Sequence, residues 1–162
     1  MTPENRLREL GYELHAFDPP PGPLIPVVVE GGYAYVSGQP PARDGKIQYR
    51  GNVGEDVTVE EGYAAAQLCA LNILGALQRE LGDLARVERI IKVVGFVSCA
   101  AGFVQHSQVI NGASDVLVDV FGEQGRHARS AIGVASLPGG MAVEVEAIVS
   151  LQLLAGDLGS PR

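Results

Sequence analysis

Residues 127–149, HARSAIGVASLPGGMAVEVEAIV, are the stretch of sequence that decides the fold. Apolar residues alternate with small or polar ones before the segment LPGG at 137–140, and they alternate again after it. A period of two is typical of β-strands that present two distinct faces. The stretch is therefore predicted to be a hairpin of two strands with its turn near Leu137 and Pro138.

This predicted hairpin carries one arginine and two glutamates among apolar residues. Pairing across such a turn places Glu144 opposite a residue between Ala131 and Ala135, on the same face as Arg129. The alanines and glycines of that face leave room beside the arginine. Arg129 and Glu144 are accordingly predicted to open into one cleft. The alternative is a solvated sheet face on which the charges have no joint role.

Length and composition are those of one globular domain. The chain has 162 residues, 46% of them hydrophobic and 19% charged, which suffices for a real core. A net charge of −7 argues against a surface that binds nucleic acid through phosphate contacts. The first residues, MTPENRLREL, lack the charged and apolar regions of a signal peptide, and no apolar run reaches membrane-spanning length. A cytoplasmic protein without membrane contact is expected.

Cys69 and Cys99 are interpreted as buried, reduced thiols, with a disulfide as the alternative.

Local signals define the order of the elements. A short helix is predicted from Thr2 to Gly11, then a proline-rich extended linker at 18–26. The glycine pair at 31–32 predicts a tight hairpin within 27–39, and Asp44 with Gly45 predicts a turn before a short strand near 47–49.

Two helices and a buried strand complete the pattern. Thr58 and Glu61 form a capping-box signature for a long helix that ends near Gly82. Residues 89–99 are predicted to be a central strand covered on both faces, and a second helix ends at Gly122. The result is an α+β fold in which both helices cover one face of the sheet. Copies of the chain are expected to cover the other face.

The same residues resemble a known family. The string ARSAIGVASLPGGMAVEVEAI at 128–148 is similar to the C-terminal motif of the RidA/YjgF family of reactive-intermediate deaminases. SGQ at 37–39, the helical segment 57–77 and INGASDVLVDVFGE at 110–123 extend the resemblance. The resemblance divides the chain into an N-terminal helix with linker (1–22), a RidA-like domain (23–152) and a flexible tail (153–162).

The resemblance implies a fold, an assembly and a reaction. The fold is a chorismate-mutase-like sheet, and the assembly is a homotrimeric barrel with small-molecule sites between subunits. The reaction is hydrolysis of enamines or imines derived from amino acids, such as 2-aminoacrylate, to 2-keto acids and ammonia. It needs no metal or organic cofactor. The alternative is a non-catalytic trimer that binds a small carboxylate or keto acid. Endoribonuclease activity of the L-PSP type, another label of the family, is a third interpretation that the acidic charge disfavours.

Site residues follow from the resemblance one position at a time. Arg129 matches the arginine that binds the substrate carboxylate, which a planar guanidinium can meet with two parallel hydrogen bonds. Glu144 matches the acid that positions or activates the hydrolytic water, and Glu146 is interpreted as the partner of a neighbouring group. Ser37 and Gly38 match ligand-facing backbone, with a strand kink as the alternative.

Other positions are ambiguous or depart from the family. Asn111 matches a cleft-facing asparagine, with helix capping as the alternative. Leu24 replaces a tyrosine and Ala131 a cysteine of the family pattern, so two polar contacts of the predicted substrate pocket are lost. His127 stands where proline is usual and is interpreted as a surface or strand-entry residue. A related but altered substrate is expected.

Overall fold

A computed structural model describes residues 1–15 and 21–152. Three helices and seven strands make up the described chain, with short 3-10 turns between some of them. In order they are α1 (Pro3–Glu9), β1 (Val27–Glu30), β2 (Tyr33–Gln39), β3 (Ala42–Arg43), β4 (Lys46–Ile47), α2 (Val59–Leu81), β5 (Val87–Ser98), α3 (His106–Phe121), β6 (Ala128–Val134) and β7 (Val143–Leu151). Part of the predicted linker and the predicted tail lie outside the described residues.

Local sequence signals account for where these elements begin and end. The Thr2 side chain accepts a hydrogen bond from the backbone of Asn5 and caps α1. The predicted capping box of Thr58 and Glu61 is present at the start of α2, and Gly82 ends that helix in the left-handed conformation. Gly31 and Gly32 both have positive φ in the β1–β2 turn, as a tight hairpin turn requires.

The five main strands form one sheet in the order β1-β2-β7-β5-β6. β7 pairs antiparallel with both β2 and β5, whereas β6 pairs in parallel with β5 at the edge of the sheet. The predicted hairpin of β6 with β7 is therefore wrong. Both segments are strands, but β5 separates them.

The physical reason for this arrangement is the crossover helix between β5 and β6. Parallel strands need a long connection, and α3 supplies it while packing on the sheet. The segment from β6 to β7 then passes the end of β5, where the Ser98 amide donates to the Ala142 carbonyl. Alternating hydrophobicity identifies a strand without specifying its neighbour, so the pattern fits either arrangement.

Helices α2 and α3 cover the same face of the sheet, as predicted. Val93 and Val97 of β5 point toward them, as do Val143 and Val145 of β7, and all four are fully buried. Gly95 lies between the two β5 valines, and a Cβ there would approach Ile110 of α3 to 2.4 Å. Close contact between helix and strand therefore depends on this glycine.

The first helix also packs on this layer. Leu7 belongs to the hydrophobic core. Arg6 donates to the Asp119 carbonyl near the end of α3, and Glu4 accepts from the Leu84 amide. α1 thus docks on the helical side of the domain. No helix in the described part of the chain is both long and apolar enough to cross a membrane.

The opposite face of the sheet has no covering element among the described residues, and it is called the open face below. Large apolar side chains remain accessible there: Tyr33 and Tyr35 on β2, Val28 on β1 and Ile132 on β6 are each 42–45% exposed. Val94 and Phe96 of β5 are half-buried on the same face. Within one chain strand β5 is therefore covered on one face only, and the cover of its other face by copies of the chain stays a prediction.

The close approach at Gly95 predicts a specific effect on stability. Gly95→Ala should lower the free energy of unfolding by about 1–3 kcal/mol, because its methyl group overpacks the contact with Ile110. Chemical denaturation measures this. In an Ile110→Ala background the same change should cost clearly less, since the methyl group then has space. Equal costs in both backgrounds would contradict the contact.

Candidate functional site

Arg129 lies on the helix-facing side of the edge strand β6. It is level with Val93 of β5, whose side chain points toward the helices, and neighbours across a sheet share a face. Ala131 follows on the same face, level with Gly95, and packs against the core. The alternation of β6 therefore directs the Arg129 side chain onto α3.

Three residues of α3 hold the guanidinium of Arg129. Its Nη1 donates to Asn111 Oδ1 at 2.8 Å and to Ser114 Oγ at 3.0 Å, and Nη2 donates to the Ser107 carbonyl at 3.5 Å. Asn111 is the sixth residue of α3, and Gln105 occupies the N-cap position. The capping interpretation of Asn111 is therefore wrong, and its amide holds the arginine instead.

His127 continues this polar cluster. Its Nε2 lies 3.0 Å from Ser114 Oγ, and its Nδ1 lies 2.6 Å from the Gly125 carbonyl oxygen. Burial lowers the pKa of His127, opposed by the hydrogen bond to Gly125 and reinforced by the positive charge of Arg129. His127 is half-buried. It is more than the surface or strand-entry residue that the sequence suggested.

An open cleft of about 420 Å³ adjoins Arg129. Its other lining residues are Ser114, Asp115, Val118, Arg126 and His127. The cleft therefore combines two guanidinium groups with one carboxylate at the edge of the sheet. That composition suits a small anionic ligand better than a polyanion.

Glu144 lies elsewhere, on the open face of the sheet. It is level with Phe96 of β5, while its neighbours Val143 and Val145 face the helices. The prediction that Glu144 is opposite 131–135 and shares a face with Arg129 is therefore wrong for a single chain. The two side chains project from opposite faces.

Gly38 makes room for the Glu144 carboxyl group. A Cβ at position 38 would lie 1.8 Å from Glu144 Oε1. The register between β2 and β7 shifts between Val36 and Gln39, so Ser37 and Gly38 form a bulge. The strand kink and the close backbone approach that were alternatives for Ser37 and Gly38 are thus the same feature. Within the chain, the group that approaches Gly38 is a carboxylate.

The environment of Glu144 favours its protonated form. Burial raises the pKa of Glu144, and the negative charge of Glu146 on the same face raises it further. Among the described residues no hydrogen bond or ion pair joins Glu146 to a neighbour, contrary to its interpretation as a partner. The Glu144 carboxylate is consequently more basic than a free glutamate.

The remaining predicted site residues lie apart from Arg129. Ser37 Oγ donates to the Pro26 carbonyl at 3.2 Å, which ties the bulge to the start of β1. Leu24 is 54% exposed ahead of β1. The structure thus brings Arg129, Asn111 and Ala131 together on one side of the sheet. Glu144 and Gly38 form a second group on the open face.

Sequence reasoning missed one contact of the site. Ser114 contacts Arg129 directly but was assigned no role, although Ser107, Asn111 and Ser114 recur at helical spacing along one side of α3. No group of three or more His, Cys, Asp or Glu side chains in residues 1–15 and 21–152 could hold a metal ion. Cys69 and Cys99 are free thiols.

The raised pKa of Glu144 predicts that ionisation of this residue lowers the stability of the folded chain. Above the ordinary glutamate pKa the unfolded chain ionises more readily than the folded one, so ionisation of Glu144 opposes folding. Glu144→Gln should therefore raise the melting temperature at pH 7. This gain should vanish near pH 3, where the carboxyl group is protonated in both states. A gain of equal size at both pH values would contradict the electrostatic cause.

Comparisons with known proteins agree with this architecture. Residues 4–151 match the model of the family described as "YjgF/chorismate_mutase-like, putative endoribonuclease". Protein TCP17 of Trypanosoma cruzi is 47% identical over 146 residues, which cover 90% of this chain and 91% of that protein.

Two solved structures are similar over nearly the whole chain. The protein Atu1372 of Agrobacterium tumefaciens is 46% identical with a TM-score of 0.87, covering 94% of each chain. A protein of Shewanella oneidensis, described as a putative endoribonuclease, is 35% identical with a TM-score of 0.90, covering 93% of this chain and 100% of that one. The RidA/YjgF resemblance seen in the sequence is confirmed. The chain belongs to the YjgF/chorismate-mutase-like family.

Proposed function

We propose that this protein hydrolyses enamines or imines derived from amino acids to 2-keto acids and ammonia. The observation that carries the proposal is the state of Arg129, whose guanidinium is held in place with one hydrogen-bonding edge left over. Family membership is consistent with this reaction. The rest of the proposal concerns which residues act and from which subunit.

The hydrogen bonds of Arg129 determine how it would bind a carboxylate. A guanidinium has five N–H donors, and both hydrogens of Nη1 are used by Asn111 and Ser114. Nη2 makes one long bond to the Ser107 carbonyl, and Nε has no acceptor among the described residues. The Nε–Nη2 edge therefore offers two parallel donors, the geometry that a carboxylate accepts.

Glu144 would accept and return the proton during hydrolysis. Hydrolysis begins when water adds to the electrophilic C=N carbon, and the adduct then expels ammonia to leave the keto group. An enamine first takes a proton on carbon to become the imine. A glutamate with raised pKa is a better proton acceptor, and it returns the proton to the departing amine. Positioning and proton transfer of this kind typically contribute ~10²- to 10⁴-fold in rate.

Arg129 and Glu144 cannot meet one small substrate within a single chain, because they project from opposite faces of the sheet. We therefore place the reaction at a boundary between subunits, where β6 of one copy lies beside the open face of the next. A homotrimer satisfies this in a cyclic arrangement with three equal sites. The exposed tyrosines, valine and isoleucine of the open face are the apolar surface that such an assembly would cover.

A non-catalytic role is the main alternative. The Arg129 cleft alone would bind a small carboxylate without Glu144, and a binder tolerates the loss of polar side chains at positions 24 and 131. Ribonuclease activity is favoured by the descriptions of the family and of the similar Shewanella oneidensis protein. The net charge of −7 and the presence of Asp115 in the cleft weigh against RNA binding.

Ammonia release from enzymatically generated 2-aminoacrylate and from bulkier imines tests the reaction. Arg129→Ala should abolish most of the activity, and Arg129→Lys should raise KM, because an ammonium lacks the bidentate fork. Glu144→Gln should lower kcat by about 10²-fold or more while KM changes little. Wild-type protein that binds pyruvate but releases no ammonia from any imine would favour the binding role.

Subunit complementation tests the shared site. The Arg129→Ala and Glu144→Gln variants are each expected to be inactive. A trimer that contains subunits of both variants has one boundary at which an intact Arg129 meets an intact Glu144. Random co-assembly should restore about a quarter of wild-type activity, since three-quarters of the trimers are mixed and each has one complete site in three. No recovery, with mixed trimers demonstrated by native mass spectrometry, would contradict a site between subunits.

The apolar open face predicts the assembly itself. Light scattering at micromolar concentration should give a trimer. Ile132→Asp should dissociate it, because a charge replaces apolar surface at the proposed boundary. The same change at Val104, an 82% exposed loop residue, serves as a control and should leave the trimer intact. A monomeric wild-type protein would contradict the assembly.

A further inference from the structure

A directional chain of hydrogen bonds lies behind Arg129. Arg129 Nη1 donates to Ser114 Oγ at 3.0 Å, and Ser114 Oγ lies 3.0 Å from His127 Nε2. His127 Nδ1 lies 2.6 Å from the Gly125 carbonyl oxygen. This series of hydrogen bonds therefore connects Arg129, the predicted carboxylate-binding residue, through Ser114 of α3 to a backbone carbonyl just before β6.

The chemistry of these atoms fixes where the protons are. The Gly125 carbonyl can only accept, so Nδ1 must carry a hydrogen. In the neutral imidazole Nε2 is then an acceptor, and the Ser114 hydroxyl hydrogen points toward it. Ser114 consequently presents a lone pair to Arg129. Every donor in the chain has an acceptor only while His127 is neutral.

We infer that Ser114 and His127 are positioning residues that hold Arg129 for carboxylate binding while His127 is neutral, and that protonation of His127 weakens this hold. The inference rests on the proposed function for the choice of ligand. Neither residue touches the substrate in this scheme. Both act through the orientation of the guanidinium.

Protonation changes the cluster in two ways. An imidazolium Nε2 becomes a donor, so Ser114 must turn its own hydrogen away and can no longer bridge in the same direction. The new positive charge also faces Arg129 on β6. The other charged neighbours offset this added positive charge only in part. Asp115 on α3 lines the cleft, Arg126 pairs with Glu123, and Arg89 of β5 donates to the Arg126 carbonyl.

The environment of His127 supports the neutral form near pH 7. Burial is the main cause that lowers the pKa of His127, and the charge of Arg129 lowers it as well, against the bond to Gly125. Carboxylate affinity should therefore be constant near neutrality and fall in mild acid. This dependence distinguishes a positioning role from a purely structural one.

Titration of pyruvate, followed by NMR or calorimetry, tests the chain directly. Ser114→Ala and His127→Phe should each raise the Kd for pyruvate about 3- to 10-fold at pH 7.5, the effect of one net hydrogen bond. Ser114→Thr keeps the hydroxyl and should stay within about twofold of wild type. Tyr12→Phe removes a different hydrogen bond to α3, the one that the Tyr12 hydroxyl donates to Asp119 Oδ2, and is the matched control that should not change Kd.

The pH arm uses His127→Gln, whose amide oxygen can accept from Ser114 but does not titrate. Between pH 7.5 and pH 5 the wild-type Kd should rise about 3- to 10-fold, and the Gln variant should show a flat profile. Identical profiles would overturn the inference. Unchanged Kd in Ser114→Ala would also overturn it.

Failure of the inference and failure of the proposed function have different signatures. If the variants alter pyruvate binding as expected but the wild type releases no ammonia from imines, only the proposed reaction fails. If Arg129-dependent turnover occurs with wild-type KM and pH profile in Ser114→Ala, only the inference fails. Should pyruvate not bind at all, ¹⁵N NMR of His127 decides: an Nε2-protonated tautomer overturns the inference, and an Nδ1-protonated tautomer that changes in Ser114→Ala supports it.

Discussion

Strand β5 is the constraint on which the rest of the structure depends. It lies between β6 and β7, and both neighbours take their register from it. Arg129 is level with Val93, and Glu144 is level with Phe96. An interval of three positions along a strand reverses the face, because side chains alternate with a period of two. The separation of the two predicted site residues is thus a consequence of where β5 lies.

Local structure was predictable from the sequence because its determinants are local. The capping box at Thr58, the left-handed glycine that ends α2 and the glycine pair of the first hairpin each act within a few residues. The pairing partner of β6 was not predictable in this way, since an alternating strand fits any neighbour. The succession of strand, helix and strand from β5 to β6 was the available signal for a parallel pair. The short LPGG turn competes with that signal, because it is typical of a hairpin.

The candidate site shows the same division between local and distant information. Arg129 was identified through the family resemblance, and its polar partners follow from helix geometry, because Ser107, Asn111 and Ser114 share one side of α3. Which strand that side would face depends on the crossover of α3 over the sheet. The contact of His127 with Ser114 depends on the same crossover, since 13 residues separate the two in sequence. An isolated histidine therefore gave no sign of its partners.

The Arg129 guanidinium and the Glu144 carboxylate are oriented by different elements of this chain. Within the described chain, Arg129 is oriented by α3 and, through Ser114, by His127 just before β6. Glu144 is oriented by Gly38 and the β2 bulge on the other face. Leu24 and Ala131 take no part in either set of contacts, because Leu24 is exposed ahead of β1 and Ala131 packs against the core. Under the proposed function, ligand binding through Arg129 needs only one folded chain, whereas hydrolysis needs two chains in register. Under the proposed function, variation of the pocket can alter the substrate without disturbing the arginine, and assembly decides whether a bound ligand reacts.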